Sequence, residues 1–472
     1  MQKYDIIVIG TGSGGLSIGL TMHTLGFRVL FIEKDEGNVG GECLNSGCVP
    51  SKALIHVARL VHGAHKARAF GLTPGAVDFD KVKAYIRERQ DIIRAHENAD
   101  YYRQMGIDVV VGTASFADAQ TVTANGERYT APKIVIATGS LPVRLDVPGA
   151  EDIPYFDNQN FFNLPRLPRQ LLVVGGGPIG LEMGQALRRL GSAVTVVYRN
   201  ERILDKDAPE ASQILLDRMR AEGITFYPQS KVLFFPTTDV AVVEGPDKKR
   251  QEVPFDAVLV AIGRRVHLEG LHPERAGIET KDGRIVVDDY LRTTNKRVYV
   301  IGDASGTLYF SHAAELQAAV MANNFFSPLK RKINYDHFSW VTFTDPEVAT
   351  FGLTEPQLRE RKVRYEKLVK HFDDDDRAVI EDYRYGTLLV YAQGNTILGG
   401  TMVAPNAGEM VQELILANSS GLTLKHLFNK TYPYPTASRV NKLLALDKYL
   451  ADLKPWMKRG LKLLYRSGFV GL

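Results

Sequence analysis

At 472 residues the chain exceeds what one hydrophobic core organises, and it should divide into roughly two to four units. With 44% apolar and 24% charged residues it reads as an ordered globular protein, and a net charge of +4 is too small for this length to point to a nucleic-acid partner. The N-terminus carries no basic leader, and no run reaches the ~18 apolar residues of a membrane span, so the expectation is a cytoplasmic protein whose thiols stay reducible.

The first element is a short β-branched run, Asp5 to Ile9, of the kind that fills a strand buried on both faces. It enters Gly10-Thr-Gly12-Ser-Gly14-Gly15. Gly10 permits a tight turn, Gly12 lets the backbone approach a pyrophosphate, and Gly15 lets the following helix pack closely with its N-terminal N–H groups toward the phosphates. A second strand, Arg28 to Ile32, ends at Glu33, whose carboxylate is placed to accept from ribose hydroxyls.

The two cysteines follow in Gly40-Gly41-Glu42-Cys43-Leu44-Asn45-Ser46-Gly47-Cys48-Val49-Pro50-Ser51-Lys52. They are too close in sequence to staple a fold of this size. Pro50 and Ser51 suit a helix start, which sets Cys48 beside a helix N-terminus with Lys52 one turn in. Both the dipole and the ammonium favour a thiolate there. The glycines let the segment curl, so a reducible Cys43–Cys48 disulfide is feasible; the alternative is two buried, inert thiols.

Strand, glycine turn and helix return at Leu171 to Val174 and Gly175-Gly-Gly177-Pro-Ile-Gly180, with a further strand at Ala193 to Val197. Two copies imply two dinucleotides. The position equivalent to Glu33 is Tyr198, followed by Arg199 and Arg202. A neutral Tyr beside two Arg suits a 2′-phosphate, so the second site reads as preferring NADPH over NADH, against the plainer alternative of solvated residues at a strand end.

The stretch Gly40 to Lys52 resembles the active-site segment of the flavoprotein disulfide reductases, the group that holds dihydrolipoamide dehydrogenase, glutathione reductase and mercuric reductase. Further matches are Ala137-Thr138-Gly139, Ala261-Ile-Gly263-Arg-Arg265, Ile301-Gly302-Asp303-Ala304, and Thr344 to Val348 with Gly352 to Glu355. The resemblance implies an α/β fold of two Rossmann-like domains with an α+β C-terminal dimerisation domain. The FAD-binding domain would span 1–148 and 270–335, the NAD(P)H-binding domain 149–269, the homodimer interface 338–446 and a basic tail 447–472. It implies that Gly302 and Asp303 approach the flavin ribityl chain and that Lys52 pairs with Glu182 beside the flavin ring. The cofactor-binding set is then Gly10, Gly12, Gly14, Gly15, Glu33, Lys34, Gly41, Thr138, Gly139, Gly302 and Asp303, with Gly175, Gly177, Gly180, Arg199, Arg202 and Gly263. Electrons would pass from NADPH through FAD to the Cys43–Cys48 disulfide, with Cys48 facing the flavin and Cys43 exchanging with a small electron acceptor.

The family pattern breaks near the C-terminus. Thiol-disulfide members carry His-x-His-Pro-Thr and a Glu three residues on, where this chain has Tyr432-Pro-Tyr434-Pro-Thr436-Ala-Ser-Arg439. A Tyr of ordinary pKa ~10 is a poor base, and losing a general base costs about 10²- to 10⁴-fold. Tyr at the second position is similar to mercuric reductases and to soluble transhydrogenases. The open acceptors are a metal ion such as Hg(II), a disulfide or persulfide, and a quinone; Tyr434 is then catalytic or merely fills space. A diaphorase or a flavin-bearing subunit without disulfide turnover is the remaining alternative. Beyond, Leu453, Trp456, Met457, Leu461, Leu464 and Tyr465 fall at helical spacing opposite Lys454, Lys458, Lys462 and Arg466. That pattern reads either as a weak membrane-surface helix or as a helix packed on its own dimer.

Overall fold

Ile6–Ile9 is a strand of four fully buried aliphatic residues in a computed structural model that describes residues 1–466. Residues 467–472, the end of the expected tail, lie outside the described residues. The strand is the centre of a parallel five-stranded sheet, ordered Val298–Val300, Lys133–Ile136, Ile6–Ile9, Val29–Glu33 and Asp108–Val111. Ile9 pairs with both Ile32 and Ile136, so the strand ends, and the turns that leave them, align along one edge. A second parallel sheet repeats the plan around Gln170–Val174, in the order Tyr155–Phe156, Ala257–Val260, Gln170–Val174, Ala193–Val197 and Thr225–Tyr227.

The chain's contacts divide it into two units, residues 1–203 with 219–334, and residues 204–218 with 335–472. Both parallel sheets belong to the first. The second is built on an antiparallel sheet ordered Ser339–Thr342, Glu347–Gly352, Thr396–Ala404, Thr387–Gln393 and Glu366–His371. Residues 204–218 join it because buried Asp207 accepts hydrogen bonds from Trp340 Nε1 at 2.9 Å and Thr350 Oγ1 at 2.6 Å, while the Arg218 guanidinium lies 4.4 Å from the centre of the Tyr385 ring.

The last described stretch is two helices rather than one run. Arg439–Asp452 ends at Leu453, and Pro455 opens a new helix, Pro455–Arg466, that continues through Gly460. Lys454 therefore precedes the amphipathic helix instead of lying on it. Among the described residues no helix is long and apolar enough to cross a membrane.

Candidate active site

Gly10 adopts a φ of +100°, and a Cβ there would fall 2.3 Å from the Ala137 carbonyl oxygen. A Cβ on Gly15 would strike the Gly10 carbonyl oxygen at 2.0 Å, so this glycine permits the close helix–strand packing. The helix Ser13–Thr24 starts after Gly12 with no side-chain cap, leaving its first N–H groups to an outside acceptor. Gly41 packs onto Gly12, whose Cα lies 2.4 Å from where a Gly41 Cβ would be, while a Cβ on Gly12 would meet only Gly41 Cα at 3.7 Å. That open cradle of uncapped donors fits a dinucleotide pyrophosphate. Glu33, buried at the end of its strand, accepts from Thr11 N and Oγ1, each at 2.8 Å, and from Lys34 N at 2.9 Å, so the carboxylate also ties the glycine turn in place.

The second turn is built alike, with Gly175 at φ +127° under the Ala261 carbonyl, Gly177 facing open space and Pro178–Leu190 starting uncapped. One expectation there is corrected. Tyr198 is buried, its ring on Gly176 and edge-on to Phe226 at 6.5 Å, so it forms the wall of the site and not a phosphate contact. Arg199 is exposed, and half-buried Arg202 keeps an Nη1 with no hydrogen-bond partner among the described residues.

The helix that carries Cys48 begins at that residue, two residues before the expected start, because Gly47 serves as its N-cap and Pro50 fits where backbone N–H groups have no helical partner. Cys43 lies on the short helix Gly41–Asn45. Both cysteines are free, Cys43 half-buried and Cys48 exposed, and their side chains hydrogen-bond each other. The Cys48 thiol is lowered to about 6, first by the hydrogen bond from Cys43, then by Ser311, whose Oγ is 3.5 Å away, and by the Lys52 ammonium. The same hydrogen bond and burial push the Cys43 thiol up. One thiolate and one thiol therefore share the site at neutral pH, with the negative charge on the cysteine at the helix N-terminus. Lys52 Nζ meets the buried Glu182 carboxylate at 2.8 Å, joining this helix to the helix of the second glycine turn.

Residues with no role assigned from the sequence complete the surroundings. Fully buried Gln317, on the helix Ser311–Phe326 that supplies Ser311, accepts from Gly302 N at 2.6 Å, so one helix holds both the Gly302-Asp303 turn and the Cys48 sulfur. Arg264 grips Glu42 with both terminal guanidinium nitrogens, Nη1 to Oε1 at 2.8 Å and Nη2 to Oε2, while its Nε donates to Ser140 Oγ at 2.7 Å. Ser140 Oγ donates to Asp303 Oδ2, and Asn158 adds a donor to Glu42. Burial pushes both carboxyls, Glu42 and Asp303, upward against the Arg264 charge. Thr138 Oγ1 donates to the His267 carbonyl at 2.7 Å, fixing the strand end before Gly139, which faces open space, and Gly263 turns at φ +130°.

Tyr434 lies in the other unit, exposed, its hydroxyl donating to Asp376 at 3.0 Å, which pushes the phenol up. Tyr432 is buried and donates to Glu413 at 2.6 Å; burial and that carboxylate push it up further. Neither phenol is a base at neutral pH. Among the described residues no cluster of three or more His, Cys, Asp and Glu could hold a metal ion.

Two dinucleotide turns around a cysteine pair define a flavin-dependent pyridine nucleotide oxidoreductase, and the chain belongs to the pyridine nucleotide-disulphide oxidoreductase family, matching its model over residues 4–321 and its dimerisation domain over 338–444. Members bind FAD, use NAD(P)H and pair as homodimers. The chain is 33% identical over 466 residues to a mercuric reductase of Staphylococcus aureus, covering 95% of this chain and 84% of that one. It is also 33% identical over 450 residues to a dihydrolipoyl dehydrogenase of Thermus scotoductus, covering 93% and 96%. Among solved structures, the HOCl-induced flavoprotein disulfide reductase RclA from Escherichia coli superposes with a TM-score of 0.84 at 25% identity over 94% of this chain and 99% of that one. Its Cu(II) complex gives 0.83 at 26% identity, over 94% and 100%.

Proposed function

We propose that the protein is an NADPH-dependent reductase whose Cys43–Cys48 pair delivers electrons to a thiophilic metal ion. The observation that carries this reading is the polarised pair itself, a Cys48 thiolate stabilised by Cys43, Ser311 and Lys52 at a helix N-terminus. Residues 1–148 and 270–335 would hold FAD, residues 149–269 the nicotinamide nucleotide, and 338–446 the dimer interface. FAD, when bound, links hydride donation by NADPH to two-electron reduction of the cysteine pair.

The residues' own work is binding and charge control. In each turnover one hydride from NADPH, delivering two electrons and one proton, opens the Cys43–Cys48 disulfide to a thiolate on Cys48 and a thiol on Cys43. Reduction of one divalent ion to the metal, or of two ions by one electron each, re-forms the disulfide with loss of the one Cys43 proton. Lys52, braced by Glu182, keeps Cys48 charged, and Cys43, holding its proton, is the group that meets the acceptor. Tyr434 enters only as a neutral hydroxyl, since Asp376 holds its proton on.

A soft ion binds thiolates without a general base, whereas disulfide exchange needs one. The phenols of Tyr432 and Tyr434 supply none, which favours a metal acceptor, as do the mercuric reductases among the relatives and the Cu(II) complex of the RclA structure. The test is anaerobic NADPH oxidation by the holoenzyme with Hg(II) or Cu(II) salts beside oxidised lipoamide and glutathione disulfide. The metal ions should be turned over about 100-fold faster or more, given the missing base; comparable or faster turnover of either disulfide would contradict the assignment.

The preference for NADPH rests on Arg199 and on the partnerless Arg202 Nη1, with no carboxylate at the ribose position. Changing Arg199→Glu and Arg202→Glu together should lower kcat/KM for NADPH by roughly 10- to 100-fold, the worth of charged hydrogen bonds, and leave NADH use nearly unchanged. An unaltered NADPH-to-NADH ratio would refute it.

A further inference from the structure

The helix Pro455–Arg466 contains no buried residue, although half of it is large and apolar. Trp456 and Leu463 are each 69% exposed, Leu461 54% and Tyr465 86%. At about 3.6 residues per turn, Trp456, Met457, Leu461, Leu463, Leu464 and Tyr465 fall on one arc of roughly 200°. Lys458, Arg459, Lys462 and Arg466 fill the remaining arc, and the helix has no acid. An apolar face of this size that its own protomer leaves uncovered marks a binding surface.

The charges select the occupant. Four cations and no acid opposite an apolar arc match an anionic surface, and Trp456 and Tyr465 are amphipathic rings suited to the boundary between headgroups and acyl chains. The family's dimerisation match ends at residue 444, before this helix begins. We infer that Pro455–Arg466 lies in the surface of an anionic lipid bilayer, with Trp456, Leu461 and Leu463 among the acyl chains and Lys458, Arg459, Lys462 and Arg466 on the headgroups. Binding would be peripheral, reversible and weakened by salt. The inference stands independently of the acceptor proposed above.

The test is co-sedimentation of the full-length holoenzyme with vesicles of phosphatidylcholine alone and of phosphatidylcholine mixed with phosphatidylglycerol. Pelleting is expected with the anionic vesicles only. Both Trp456→Ser/Leu463→Ser and Lys458→Gln/Lys462→Gln should weaken it on the order of tenfold, with dimer mass and NADPH-dependent turnover unchanged. Absence of pelleting with anionic vesicles at low salt, or equal pelleting with neutral ones, would overturn the inference. Dissociation of the dimer by Trp456→Ser/Leu463→Ser would overturn it as well, because the apolar arc would then cover a second copy of this chain.

Discussion

Serine in place of Cys48 is expected to reduce metal-dependent NADPH oxidation by about 10³-fold or more, since the thiolate is the reactive species and a serine hydroxyl stays protonated at neutral pH. Nucleotide binding should survive, because the residues that form the second glycine turn, Gly175 to Gly180, are unchanged in this variant. Cys43→Ser should lose turnover to a similar extent for a different reason. Its loss removes the hydrogen bond that is the largest cause of the low Cys48 pKa, so the remaining thiol should titrate well above the wild-type value. In the reduced wild-type protein the ultraviolet thiolate absorbance should rise with a midpoint of about 6. The sign follows from the direction of the shift: a depressed thiol is ionised above that midpoint and protonated below it, so thiolate, alkylation by iodoacetamide and turnover should all fall as the pH drops through it. A midpoint near the ordinary thiol value of ~8.5 would contradict the polarised pair.

Arg264→Met is expected to be the most damaging change outside the cysteines. It strips the cation from Glu42 and loosens Ser140 on Asp303, two carboxyls that burial already pushes up. Leaving this half-buried charge without its partner costs about 3 kcal/mol or more, which for a protein of this size lowers Tm by roughly 3–5 °C. Purified Arg264→Met should also retain less FAD, since Glu42 directly follows Gly41 in the pyrophosphate cradle and Asp303 belongs to the turn assigned to the ribityl chain. Adding Glu42→Gln should restore more than half of the loss, because the two residues act as one pair. Thermal unfolding and the flavin-to-protein absorbance ratio read both effects. Wild-type Tm and flavin content in Arg264→Met, or no recovery in the double variant, would contradict this account.

Strands and glycine turns were legible because their causes are local. An aliphatic run such as Ile6–Ile9 followed by Gly10 to Gly15 has few alternatives to a buried parallel strand and a phosphate-type turn, and the same holds for Gln170–Val174. The Lys52–Glu182 contact came only through resemblance, since the two residues are 130 positions apart and no spacing rule joins them. Ser311, Gln317 and the Glu42–Arg264–Ser140–Asp303 network were missed on the same ground, as each is assembled from segments distant in sequence. Glu42 did carry a signal: an acid between a cradle glycine and a redox cysteine must find a counter-charge once buried, and Arg264 stood in a stretch already singled out. Tyr198 was misread because a residue type at a strand end does not say which way its ring turns; the space above Gly176 drew it inward. The tail splits at Leu453 because Pro455 cannot continue a helix from the preceding turn, a break that the helical spacing of the apolar residues does not reveal.

The most direct measurement of the central claim is an anaerobic titration of the holoenzyme with NADPH, counting free thiols after denaturation at each step. The electron relay to Cys43 and Cys48 predicts that two thiols appear per protomer with the first equivalent of NADPH. Bleaching of the flavin with no new thiols would contradict it and make the cysteines bystanders.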